Sequence, residues 1–226
     1  AGCAAWSAIF SNPFDTTTMN PINVPANPSR PGGPTAWPDV VVIIPFYNGA
    51  DFIERLAPET ERVSIKSGET RVVVDRLNGG ALGARAAEYV VAPSAALTRI
   101  VIQSGEGVTL SSARVRLGAG GKFKQFVLSE GARLARIETD VSAEGEGAEV
   151  ELNGVYLAGP GRHGDLTWVI EHKVGGGSTR QLIKGVAAKG ARGVFQGNIV
   201  VAPHAQKTDA RQYHHGMLLE DGAEIY

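Results

Sequence analysis

From about Arg71 onward the chain is written in short β-branched runs cut by glycine, and this texture limits the fold more than any other feature. Examples are Arg71 to Asp75, Glu88 to Ala92, Thr98 to Gln103, Ser112 to Leu117, Lys122 to Leu128, Arg133 to Thr139, Leu166 to His172 and Gly193 to Val201. Several alternate in the period of a half-buried strand: Ala113, Val115 and Leu117 point one way, Arg114 and Arg116 the other. Glycine-rich turns separate them, among them Gly118-Ala119-Gly120-Gly121, Gly145-Glu146-Gly147 and Gly175-Gly176-Gly177. A spacing of about ten to twelve residues fits an antiparallel sandwich, a barrel or a stack of β-helix coils equally well. The 29 glycines suit a fold with many tight corners.

The first 38 residues have a different texture. They hold seven of the twelve prolines, and Asp15 and Arg30 are their only charged side chains. Proline removes amide donors and fixes φ, which excludes a continuous helix or inner strand, so 1–38 reads as an extended arm or linker. Residues 39–70 read as a strand, an Asn48-Gly49 turn and a short amphipathic helix carrying Phe52, Ile53 and Leu56, with the strand-rich core over 71–226.

Length and charge restrict the functions open to such a chain. At 226 residues it holds one principal domain. With 22 basic and 23 acidic residues well mixed, it has no positive field for a phosphate backbone or anionic lipid, and nucleic acid is not an expected partner. Cys3 is the only cysteine, so no intramolecular disulfide forms, and thiolate sites for zinc or an iron-sulfur cluster cannot be built. The apolar run Val40 to Tyr47 is broken by Pro45 and far shorter than the roughly 20 residues of a membrane helix, while Ala1 to Phe10 lacks the basic start of a secretory signal. A soluble, cytoplasmic protein is expected.

The familiar catalytic motifs are missing. Gly118 to Lys122 has Arg116 where a phosphate loop needs its first glycine and Phe123 after the lysine, and no Gly-x-Ser-x-Gly elbow occurs. His163-x-Asp165 with His172 offers imidazole and carboxylate, a plausible metal set. In a strand, however, Asp165 and His172 fall on opposite faces, and a structural role closing a turn is the preferred reading. His214-His215 reads as a solvated loop. Gln206-Lys207-Thr208-Asp209 reads as a turn held by local hydrogen bonds, or as a turn that orders a surface for a partner.

One region carries a family signature. The Lys184-Gly185-Val186 step, a Val194-Phe195-Gln196-Gly197 turn, the run Ala205-Gln206-Lys207-Thr208-Asp209-Ala210, Leu218-Leu219 and Ala223-Glu224-Ile225 resemble the SufB/SufD family of iron-sulfur cluster assembly scaffolds, on its SufD branch. The resemblance covers about Val40 to Tyr226. It implies an all-β, right-handed parallel β-helix, a solenoid whose coils bury their inward side chains against one another. It also implies a non-catalytic scaffold that pairs with SufB as a heterodimer and acts with the ATPase SufC. No cofactor is expected on this chain, the cluster being the product of the whole complex. His163, Asp165, His172 and the run Gln206 to Asp209 are the family-motif or interface positions.

In this family the chain continues into a segment with an acidic pair and a Cys-x-His step, then into a helical domain that docks onto SufC. An end at Tyr226 precedes these, so the last coils are expected to self-associate around Leu218, Leu219 and Ile225. Two rivals are a carbohydrate-active β-helix enzyme, for which only Trp6, Trp37 and Trp168 offer indole platforms, and a cupin-type metal protein using His163 and His172.

Overall fold

The computed structural model describes Ala57 and residues 59–226, and every regular element among them is a strand. The Pro-rich arm, the 39–47 strand, the Asn48-Gly49 turn and the short helical segment lie outside the described residues. In chain order the strands are β1 Thr60–Ile65, β2 Thr70–Gly79, β3 Leu82–Val91, β4 Ala96–Gly105, β5 Val108–Leu117, β6 Lys122–Glu130, β7 Leu134–Ala143, β8 Glu149–Ala158, β9 His163–His172, β10 Ser178–Ala187, β11 Arg192–Val201, β12 Asp209–Leu218 and β13 Glu224–Ile225.

Odd and even strands go to different sheets. The order is β1-β3-β5-β7-β9-β11-β13 in one and β12-β10-β8-β6-β4-β2 in the other. Each strand is hydrogen-bonded in parallel to the strand two further along the chain. That topology is a parallel β-helix of about six coils, as the family resemblance implies, and it excludes the antiparallel sandwich or barrel that spacing alone left open. Neighbours in the sequence face one another across the core, and the true repeat is one coil. Arg99 meets Gln125, 26 residues on, and Arg136 meets Asp165, 29 residues on.

The pleat sorts side chains as alternation predicts. Ala113, Val115 and Leu117 are buried, whereas Arg116 is exposed. One core cluster extends from Ile65 through Phe123, Val127 and Leu152 to Trp168 and Phe195. At one corner Gly68, Ser94, Gly120, Gly147, Gly176 and Lys207 all adopt left-handed φ. Four of their amides bond the next coil, with Ser94 donating to Ala119 O, Gly120 to Glu146 O, Gly147 to Gly175 O and Gly176 to Gln206 O. Glycine carries this conformation without a Cβ clash, which accounts for the glycine punctuation.

The structure departs from the sequence reading in several places. The first strand of the solenoid is β1, ahead of the Arg71 boundary, and β8, β10 and β12 were not among the expected runs. Each lacks a β-branched stretch: β8 contains Asn153-Gly154, which mimics a turn, and β12 reads DARQYHHGML. The Val194 to Gly197 segment is strand rather than turn, because β11 is paired through it to β9. His214-His215 is likewise strand, not loop, bonded in register to Ile183 and Lys184. In both, ladder hydrogen bonds to the preceding coil outweigh weak local propensity.

Candidate functional site: polar clusters in and on the solenoid

The three residues of the His-x-Asp and His pattern all lie on β9, yet they do not converge. His163 and Asp165 share the outward parity, and His172 points into the solenoid. Asp165 accepts from Arg136 Nη1 at 2.7 Å and from Thr167 Oγ1 at 3.0 Å, and Arg136 is also paired with Glu138. All four of these residues are buried. Burial pushes the Glu138 carboxyl up, with Arg136 working against it. Burial also lowers the His163 pKa, partly offset by nearby Asp165.

His172 is fully buried, with Nε2 2.7 Å from Thr179 Oγ1 on β10. Its Nδ1 has no partner among the described residues. A Cβ at Gly177 would stand 2.7 Å from that atom, so the glycine leaves room for the ring. Burial lowers the His172 pKa, keeping the imidazole neutral. Among the described residues no three His, Cys, Asp or Glu side chains converge as a metal site, so the pairing of His163 with His172 that a cupin-type centre requires does not form.

Two further interior clusters were not anticipated. At the β2–β6 end, Asp75 and Arg99 are fully buried and joined by Arg99 Nε donating to Asp75 Oδ2 at 2.7 Å. Arg85 lies 2.7 Å from Asp75 Oδ1, and Arg99 Nη1 donates to Gln125 Oε1 at 2.9 Å. Gln125 Nε2 then donates to Thr139 Oγ1 at 3.1 Å, crossing from one sheet to the other. The signal lay in the alternation: Arg99 takes an inward position between Leu97 and Val101.

At the β8–β12 end the same interior is aromatic. Tyr156 is fully buried and its hydroxyl stands 2.9 Å from His214 Nε2. Phe195 contacts the rings of Trp168 and His214 edge-on. A Cβ at Gly185 would lie 2.0 Å from Tyr156 Cζ, and one at Gly193 2.3 Å from Tyr156 Cε2. The glycine of the Lys184-Gly185-Val186 step is thus the seat of the tyrosine ring. Burial raises the Tyr156 pKa to about 12, and burial together with His215 lowers that of His214.

The run Gln206 to Asp209 forms the corner between β11 and β12. Gln206 Nε2 donates to Pro203 O at 2.7 Å, Thr208 Oγ1 donates to Ala205 O at 2.9 Å, and Lys207 takes the left-handed position that glycine fills in Gly120 and Gly147. Asp209 is exposed and pairs with Arg180 of β10, whose hydrogen bond lowers its pKa. The local hydrogen bonds account for a turn, and the exposed polar heads leave its outer side open to contact.

The chain matches the SUF system FeS cluster assembly SufBD core domain over residues 56–226. It is 28% identical over 165 residues to an iron-sulfur cluster assembly SufBD family protein of Mycobacterium bovis, covering 69% of this chain and 41% of that protein. A Mycobacterium leprae protein of the same description is 26% identical over 166 residues, covering 70% of this chain and 42% of the relative. Iron-sulfur cluster assembly protein SufD of Escherichia coli is 30% identical over 95 residues, 42% of this chain and 22% of that one. The chain therefore spans about two fifths of the length of its mycobacterial relatives. Among the described residues no helix is long and apolar enough to cross a membrane. A match that takes in every strand of the solenoid establishes that the chain belongs to the SufBD core domain family of iron-sulfur cluster assembly proteins.

Proposed function

We propose that this chain is the β-helix core of a SufD-type, non-catalytic scaffold, which pairs with SufB and works with the ATPase SufC while a cluster is assembled. The observation that carries the reading is the family match over the whole described solenoid, joined by the likeness to the Escherichia coli SufD over 95 residues. The interior supports it. Charged and aromatic side chains from both sheets meet across the coil, with Gln125 of β6 bonded to Thr139 of β7 and the Tyr156 ring of β8 seated against Gly193 of β11. Such an interior holds two sheets at fixed separation, as a scaffold requires.

This chain hydrolyses no ATP by itself, and the single cysteine of its 226 residues cannot supply the thiolates of a cluster; the cluster is cargo of the complex. The decisive experiment is co-expression of the tagged chain with SufB and SufC of its own genome. Retention of SufB is expected, with SufC joining when a longer version is used. Loss of both partners from both versions would reject the SufD assignment. Anaerobic reconstitution of the isolated chain should leave no visible charge-transfer absorption.

A further inference from the structure

The two sheets bury their strands differently. In the six-stranded sheet burial alternates along the strand, as in β4 and β6, and the outer face is open. In β5, β7 and β9 of the other sheet five consecutive residues are buried, so the first half of each strand is covered on both faces. Register sets the covered outward residues in two rows, one of Ala86, Ser112, Glu138 and Thr167, the other of Leu110, Arg136 and Asp165. All are 1% to 8% exposed. Long side chains can screen one another, but Ala86 and Ser112, each 1% exposed, are too short to bury themselves. Thr98, a small outward residue of β4 flanked by Val72 and Lys124, is only half-buried.

We infer that the chain's own segment ahead of β1, residues 48–56, lies across these rows and closes this face to partners. Every strand from Thr60 onward belongs to one of the two sheets and turns join them at the corners, so the described residues hold no element that covers the rows. The burial arises within a single chain, which leaves the residues ahead of β1 as its source. Thr60, the first residue of β1, heads the first row through its pairing with Ala86, so the preceding chain emerges at the edge of the covered patch. As a helix residues 48–56 are roughly 14 Å long, and the link to β1 adds roughly 10 Å. That reaches β9, about 19 Å from β1 across the strand spacings between them. The part of the patch nearest β1 is apolar, with Leu110 packed against Ala84 and Val108. Phe52, Ile53 and Leu56 recur on one side of a helix, and Pro58 disfavours helix beyond Leu56. An apolar helix side thus meets an apolar patch beside the strand it leads into, and the parallel sheet gains the second cover that such sheets ordinarily have.

Thiol labelling of the 226-residue chain in a Cys3→Ser background tests this, with circular dichroism confirming the fold of each variant. The thiol introduced by Ser112→Cys should react at least tenfold more slowly than one introduced by Thr98→Cys on the other sheet. Adding Phe52→Asp and Leu56→Asp should bring the rate at position 112 up to that at 98 and leave the rate at 98 unchanged. A photo-crosslinking amino acid placed at position 53 in the otherwise unchanged chain should join to β3, β5 or β7 of the same molecule, and this reading stands even if the Asp variants fail to fold. Equal rates at 112 and 98 would show a bare face and overturn the inference. Protection untouched by the Asp variants, or crosslinks that fall elsewhere, would assign the cover to other residues. Protection lost on dilution, or crosslinks between molecules, would make the cover a second copy and equally refute it.

Discussion

Between β2 and β6 the coil interior is crossed by Arg99, held by Asp75, Gln125 and the Tyr89 ring 5.8 Å away. Between β8 and β12 the equivalent space is filled by Tyr156, Trp168 and Phe195, with Gly185 and Gly193 beneath the tyrosine. The backbone is alike in both regions, with ten-residue strands at either end. The filling obeys different physics. A buried guanidinium stays folded only while its charge is matched, whereas a buried ring needs volume and tolerates no Cβ where glycine stands. A solenoid of fixed width therefore accepts either solution, and each region fails in its own way.

The largest expected effect breaks the charged region. Arg99→Met leaves Asp75 with Arg85 alone and should lower unfolding free energy by about 3–5 kcal/mol in urea titrations. Asp75→Leu combined with Arg99→Met should recover most of that loss, because Arg85 keeps its partner Glu61. A double variant no more stable than Arg99→Met would show that the network itself, rather than charge balance, holds these coils. Next in size is the aromatic region. Gly185→Val drives a side chain into the Tyr156 ring and should cost about 3 kcal/mol, and Tyr156→Ala in the same chain should relieve part of it, a coupling that a double-mutant cycle reads directly.

Titration should separate the regions too. All five histidines lie at or beyond position 163, and burial depresses His172 and His214. A base with a lowered folded pKa binds protons in the unfolded chain that it refuses in the folded one. Stability is then full above the ordinary histidine pKa of 6.5 and falls as pH drops through it. Each such histidine contributes a slope of at most about 1.4 kcal/mol per pH unit. Urea midpoints measured from pH 7.5 to 5.5, roughly spanning the range in which histidines titrate, should fall, and His172→Asn should flatten the decline. An unchanged slope would move the titrating group elsewhere. The smallest effect is that of Tyr156→Phe, which removes the hydroxyl facing His214 and should cost about 0.5–1.5 kcal/mol.

Much of this architecture was legible one strand at a time. The inward set Ala113, Val115 and Leu117 follows from alternation, and the glycine corners follow from clusters such as Gly118 to Gly121. The separation of Asp165 from His172 was legible as well, since seven positions along a strand reverse the face. Three strands stayed hidden because glycine or polar residues interrupt their inward sets: Gln181 and Gly185 in β10, Gln212 and His214 in β12, Gly154 in β8. Their reasons lie in other coils. Gly185 is required by Tyr156, and a Cβ at Gly154 would press on Trp168 at 3.0 Å.

Local pattern thus determined which segments extend, which side of each is apolar and where the chain turns, because pleat and positive φ are properties of a few consecutive residues. Only the tertiary structure decided that strands pair with the second strand along rather than the next, and that Arg99 meets Gln125 26 residues on. It also decided that Lys207 stands in a glycine's corner and that Phe126 lies in one row with Leu182 and Tyr213. Those relations depend on the length of a coil, which widens from 26 residues at Arg99 to 29 at Arg136 and therefore leaves no fixed period in the sequence.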